Sequence, residues 1–211
     1  MHHLRLAVCT ICCCLAAMSG GCLFVSAEKK VEQTVVVPAK PEIQMSEEYI
    51  RSKQGDVLVY MPEGWYVIDV EGKAPADVVA VAVNPDYTLS LVVQSVRKND
   101  LIDQTVQKEG VLGLARMAFE KRSRKTANTV RLLSKILPVN IGSKAYGVYE
   151  FTGDSQDSSG VFLRSRSAVF ITSVNSYYEC SLIPTAITAK PLPAETDIEK
   201  VFRSVLASIQ Y

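Results

Sequence analysis

Two neighbouring stretches, "VVAVAV" (Val78 to Val83) and "TLSLVVQSV" (Thr88 to Val96), most constrain this chain. Side chains alternate along a strand, so a half-solvated strand alternates apolar with polar. Here Leu89, Leu91 and Val93 share one parity, while Val92 and Val96 share the other. A sheet that is apolar on both faces must be covered on both. Two segments supply the covers. Ile102 to Lys125 places Val111, Leu114, Ala115, Ala118 and Phe119 at helical spacing. Asp197 to Ile209 carries the cleaner stripe Ile198, Val201, Phe202, Val205, Leu206 and Ile209, and Thr196 with Glu199 fits a capping box at its start.

The remaining apolar runs read as strands closed by turn residues. Val57 to Tyr60 and Trp65 to Val70 flank Pro62-Glu63-Gly64, a hairpin signal, and Asn84-Pro85-Asp86 joins the two opening stretches. Val130 to Leu137, Ala145 to Thr152, Val161 to Ser173 and Tyr177 to Ile183 follow, the last three forming a meander through turns at Asp154 to Gly160 and Asn175-Ser176. Successive hairpins give a largely antiparallel sheet, and the helices make the fold α+β, a three-layer α/β/α sandwich.

Residues 1–27 read as an export signal, with Arg5, an uncharged apolar run from Leu6, small residues, and charge returning at Glu28. Two processing sites compete there. Ser19 to Cys22, "SGGC", resembles a lipoprotein box that would make Cys22 the acylated first residue, although Ser19 stands where a larger apolar residue is usual. Val25 to Ala27, "VSA", fits ordinary cleavage and release of a soluble secreted chain. Leu6 to Ser26 is also just long enough for an uncleaved span. Residues 28–46 carry charges, Pro38 and Pro41. They read either as an extended tether or as an extension docked through Val35, Val36 and Val37. Residues 47–211 are the domain. All three processing readings place it outside the cytoplasm, in the periplasm or cell envelope.

Removing the signal removes both histidines, five of the six cysteines and one of the 23 basic residues. Cys180 is left alone, and 22 basic residues face 22 acidic ones. That balance argues against a nucleic-acid partner. Without histidine there is no Ser-His-Asp or Cys-His arrangement, and neither histidine-based nor thiolate zinc sites can form. Ser95-x-x-Lys98 matches a serine–lysine spacing at a strand end, where residues three apart point to opposite faces. Gly110 and Gly113 lack the Gly-Lys-Ser/Thr of a phosphate loop. In "GDSQDSSG" (Gly153 to Gly160), Asp154 and Asp157 are the candidate metal ligands, for calcium. The spacing is not that of a twelve-residue calcium loop, and Asp, Ser and Gly are what polar turns use. No carboxylate pair stands out for catalysis and no cofactor motif is present, so the reading is non-enzymatic.

The sharpest surface feature is "EKRSRKT" (Glu120 to Thr126). Lys121, Arg122, Arg124 and Lys125, with Arg116 one to two turns earlier, read either as a solvated helix end favoured by the helix dipole or as a basic face toward anionic lipid or an acidic protein. Arg131 and Lys135 share a strand face that extends it. Arg164 and Arg166 share parity on another strand, taken as a sheet edge.

The element order resembles the PsbP-like family, which includes the extrinsic PsbP proteins of photosystem II and a Ran-binding import factor. The features that carry it are Pro62-x-Gly64-Trp65, "KAYGVYEF" (Lys144 to Phe151), "VNSYYECSLIP" (Val174 to Pro184) and "VFRSVLASI" (Val201 to Ile209). Together they span about Tyr49 to Tyr211. The resemblance implies an α/β/α sandwich around an antiparallel sheet and a non-enzymatic role in docking or assembly. It implies a protein partner at a membrane surface, with lipid anchoring on Cys22 or the basic patch as membrane contact. A small-ligand or ion-binding module is the alternative. Histidine-based metal roles proposed for photosynthetic members have no counterpart here. In this frame Trp65 marks a fold corner rather than a binding site.

Overall fold

The computed structural model describes residues 34–156, 160, 162–185, 188 and 190–211, the side chains of 154 and 155 excepted. The described residues form one compact unit. Eleven strands and two long helices run in the order β1 (Val35–Val37), β2 (Met45–Arg51), β3 (Leu58–Pro62), β4 (Tyr66–Ile68), β5 (Val78–Val83), β6 (Leu89–Ser95), α1 (Asp100–Lys125), β7 (Arg131–Leu132), β8 (Leu137–Ile141), β9 (Lys144–Gln156), β10 (Phe162–Ile171), β11 (Tyr177–Pro184) and α2 (Glu195–Ser208). The main sheet has the order β1-β8-β9-β10-β11-β6-β5-β4, with β7 beside β9. Every pairing is antiparallel except β1 with β8, where Val35 lies opposite Val139 and Val37 opposite Ile141. Of the segment given two readings, Val35–Val37 is therefore built into the sheet edge, and the Glu42 and Ile43 N–H groups donate to Ser204 Oγ on α2.

The expected three layers form because the strands are two-sided. One face carries Leu89, Leu91, Cys180, Leu182 and Phe170 against Ile198, Phe202, Val205 and Leu206 of α2. The other carries Tyr149, Phe151, Val169 and Tyr177 against Ile102, Leu114, Ala115 and Ala118 of α1. Each large apolar side chain buried in this way contributes about 1.5–3 kcal/mol. On the α2 face, Phe170 packs among Tyr146, Tyr178 and Tyr211 with ring centroids 5.2–5.7 Å apart. The Tyr146 hydroxyl donates to the Leu206 carbonyl at 2.8 Å.

Helix α1 starts at Asn99, whose side chain accepts from the Ile102 N–H at 2.9 Å. It kinks at Gly110, where φ +59° and ψ −140° suit only glycine. It packs tightly on the sheet over Gly147 of β9. A Cβ there would lie 2.4 Å from the Val111 carbonyl oxygen and 2.9 Å from Ala115 Cβ.

Four local expectations differ from the structure. β3 and β4 do not form a hairpin: β3 pairs with β2 and β4 with β5. The Trp65 N–H closes a turn onto the Pro62 carbonyl with Gly64 at φ +77°, the type II pattern, which splays the flanking strands instead of matching their twist. The strand expected over Val130 to Leu137 is two, β7 and the start of β8, which use successive stretches of the same β9 edge. Helix α2 starts at Ala194, two residues before Thr196, with no side-chain cap. Glu195 and Asp197 supply the negative charge that its N-terminus favours. Finally, β10, with Arg164 and Arg166, is an interior strand between β9 and β11.

Candidate functional site

The end of β6 is where distant parts of the chain meet. Ser95 closes the strand, and its N–H donates to the Asp77 carbonyl at 2.7 Å. The next N–H, of Val96, donates to the Tyr177 carbonyl at 2.8 Å. These two bonds bring together the segment before β5, the segment leading into α1, and the start of β11. The last turns of α1 and Gln54, from the β2–β3 turn, complete a cleft of about 720 Å³.

Its charges are one-sided. Arg97, Lys98, Lys121 and Lys125 line it against a single carboxylate, Asp77. Lys121 Nζ and Lys125 Nζ lie 3.5 and 3.7 Å from Asp77 Oδ2. Lys121 and Lys125 are four apart on one helix, so they share a face. Lys98 Nζ sits over the Tyr177 ring, 4.9 Å from its centroid, a cation–π contact. Among the described residues neither Arg97 nor Lys98 pairs with a carboxylate. Tyr177 gives the cleft its ring, Tyr178 belongs by its ring to the α2-side core, and each is held by its hydroxyl. Tyr177 donates to Asp103 Oδ1 at 2.8 Å and Tyr178 to Asp56 Oδ1 at 2.7 Å. Burial and these carboxylates push both phenols up to about 12. Asp56, also hydrogen-bonded by Ser52, is held below the usual carboxylate range despite its partial burial.

Under α1 the cleft continues into a smaller cavity of about 160 Å³, which reaches a buried polar cluster. Glu179 is 2% exposed, and its Oε1 takes Arg122 Nη2 at 2.7 Å together with the Tyr149 hydroxyl. Gln94 Nε2 donates to Oε2. Arg122 Nη2 also reaches Ser181 Oγ at 2.9 Å, and Ser181 meets Ser167 at 2.6 Å. The guanidinium lies over the Phe151 ring, 4.5 Å from its centroid. Burial alone pushes the Glu179 carboxyl up. The Arg122 charge and the donors on Tyr149, Arg122 and Gln94 outweigh it, so the group sits below the usual carboxylate range. Arg122 is raised in turn, the Glu179 charge outweighing its own burial.

The basic run thus divides. Arg122 turns inward, Lys121 and Lys125 line the cleft, and Arg124 is exposed at the helix end. Arg116 is held on the surface by Glu109 at 2.7 Å. Arg131 and Lys135 are exposed, away from the cleft lining. Arg166, 4% exposed, is anchored against α2, with Nε 2.9 Å from Glu199 Oε2 and Glu150 and Glu195 close by. Ser95 Oγ donates to the Asp77 carbonyl while Lys98 lies on Tyr177, so the serine–lysine spacing makes no pair. Cys22 and Asp157 lie outside the described residues, as does the side chain of Asp154. Among the described residues no three His, Cys, Asp or Glu side chains gather as a metal site. None of their helices is long and apolar enough to cross a membrane.

Sequence reasoning missed Asp77, Glu179 and the contribution of Arg97 and Lys98. One signal was present for Glu179. Tyr177, Glu179 and Ser181 alternate with Tyr178, Cys180 and Leu182, so a strand covered on both faces carries a polar row that must be buried and paired.

No family model matches the sequence, and no curated protein matches it either. Among solved structures, the fold is similar to the solution structure of cyanobacterial PsbP (CyanoP) from Synechocystis sp. PCC 6803. The match has 16% identity and a TM-score of 0.55, covering 77% of this chain and 91% of that one. A crystal structure from Bacteroides thetaiotaomicron VPI-5482 is 14% identical with a TM-score of 0.42, too distant to inform the fold, and 77% of this chain covers 47% of it. The order of strands, the two covering helices and the match over most of both chains give one result: this chain has the PsbP-like fold.

Proposed function

We propose that this chain is an exported, non-enzymatic accessory protein, tethered by a lipid on Cys22, that docks on a membrane-associated protein complex. The likeness to cyanobacterial PsbP across 77% of the chain carries this reading. Fold alone does not fix function. The sequence adds independent support: an export signal with a lipoprotein-type box, and a domain from which histidine is absent. The contact face is the basic end of α1. Arg124 and Lys125 present charge outward, Lys121 adds to it from the mouth of the cleft, and Arg116 extends it along the helix. Arg122 holds that helix end to β11 instead of reaching a partner.

Crosslinking the native protein in its own membranes, followed by affinity capture, tests the reading. A specific complex recovered in stoichiometric amount supports it, and loss of that recovery on Arg124→Glu with Lys125→Glu locates the face. Intact mass of the mature chain separates its two forms: a diacylated Cys22 terminus for the anchored protein, or a chain starting at Glu28 for the released one. No recovered complex overturns the docking role.

A further inference from the structure

The cleft at the end of β6 has properties that docking does not require. A solvated helix end spreads its charges into water, but here cations from two separate segments converge on one concavity. We propose that this cleft binds a small organic polyanion with an apolar body, in the class of aromatic polycarboxylates, independently of whether the chain docks on a complex.

Three observations carry this. The first is size: about 720 Å³ lies within the roughly 300–1,000 Å³ of small-molecule sites. The second is the division of the lining. Ala76, Val96 and the Tyr177 ring give it apolar surface on the α1 side, while Arg97, Lys98, Lys121 and Lys125 stand around it. An apolar body with several negative groups meets both parts. A bare anion meets only the cations, and a flat lipid surface does not reach into the cleft.

The third is that the chain already shows what its lysines accept. Lys121 and Lys125 share the Asp77 carboxylate at 3.5 and 3.7 Å, longer than the ~2.7–2.9 Å of a tight charge-assisted hydrogen bond. Both ammonium groups therefore retain donors for a ligand carboxylate. Arg97 and Lys98 are free of such a partner among the described residues. The lining is preorganised, since the Tyr177 hydroxyl and the Ser95 and Val96 N–H groups are already bonded within the protein. Binding then orders little of the protein, which lowers its entropic penalty. The surplus of cations disfavours a metal ion.

The test is titration of the full chain with benzene-1,3,5-tricarboxylate at low salt, by calorimetry and by amide chemical shifts. Saturable one-to-one binding is expected, with shifts gathered at Val96 to Lys98 and Lys121 to Lys125 and an affinity that falls as salt rises. The pair Lys98→Gln with Lys121→Gln weakens binding about tenfold or more, as does the corresponding Glu pair, while Arg131→Gln leaves it unchanged. Circular dichroism confirms that each variant is folded. Failure to saturate overturns the proposal. So does equal loss on Arg131→Gln, or displacement of the tricarboxylate at matched charge by inorganic phosphate, a hexaglutamate peptide or phosphatidylglycerol vesicles. Loss of tricarboxylate binding alone leaves the docking role standing, and absence of a captured complex alone leaves the ligand site standing.

Discussion

Arg122 on α1 and Glu179 on β11 are 57 residues apart, and their side chains meet at 2.7 Å beneath the helix. The pair joins the outer layer to the middle of the sheet through a buried polar contact in an interface that is otherwise mostly apolar. Taking both charges out of water is expensive, and Tyr149, Gln94 and Ser181 offset it by bonding the carboxylate and one guanidinium nitrogen, while Arg122 Nε has no partner among the described residues. Removing one partner strands the other. Arg122→Ala is expected to lower unfolding free energy by about 3–5 kcal/mol, and Arg122→Met with Glu179→Leu by much less. Urea unfolding of the two variants and the wild type measures the difference. A loss below about 1 kcal/mol for Arg122→Ala contradicts the structural role.

The same carboxylate gives a pH dependence. Its folded pKa lies below the unfolded value of about 4.3, so its contribution is full above that pH and disappears as pH falls through the folded pKa. Asp56 is depressed in the same direction. The urea midpoint of the wild type is expected to hold between about pH 7 and 5 and to fall below about 4. Glu179→Gln starts lower at neutral pH and falls less steeply in acid. Equal acid slopes in the two proteins contradict the assignment.

Gly147 sets the spacing between β9 and α1. Gly147→Ala places a methyl group 2.4 Å from a backbone oxygen of the helix, which no rotamer change relieves. The expected loss is about 1–3 kcal/mol, the range for overpacking. Gly153→Ala, whose Cβ meets nothing within 4 Å among the described residues, serves as the control. Equal thermal midpoints for the two variants contradict the close approach.

Cys180 is buried on the α2 face, and burial pushes its thiol up to about 12. Thiolate is the reactive form, so native protein treated with iodoacetamide at pH 8 is expected to leave Cys180 unmodified. Unfolding in urea exposes it to full alkylation. Peptide mapping resolves this site from the cysteines of residues 1–27. Rapid native alkylation at Cys180 contradicts its place in the core.

The layers were legible because their signal is local. Two-sided strands and helical stripes require covers on both faces, and the structure supplies them with the very residues that carry the pattern, Leu89, Leu91 and Phe202 among them. Strand partners were less legible. The Pro62-Glu63-Gly64 turn looks like a hairpin connection, and only the negative φ of Glu63 ahead of the positive φ of Gly64 makes it the type II turn whose strands part. Trp65, at that corner, is half-buried and packs against the α2-side core. The polar cluster was hidden by sequence distance, since Arg122 sits in a run of cations that reads as uniformly solvated. Only packing α1 on β11 separates it from Lys121 and Arg124. The cleft joins five segments, and no local pattern announces such a meeting.

Docking on a membrane-associated complex is the central claim, and native electrophoresis of mildly solubilised membranes tests it most directly. The protein is predicted to migrate with a complex far larger than its own 23.1 kDa and to be released from it by high salt. Migration at the mass of the single chain, under conditions that keep other membrane complexes intact, would contradict it.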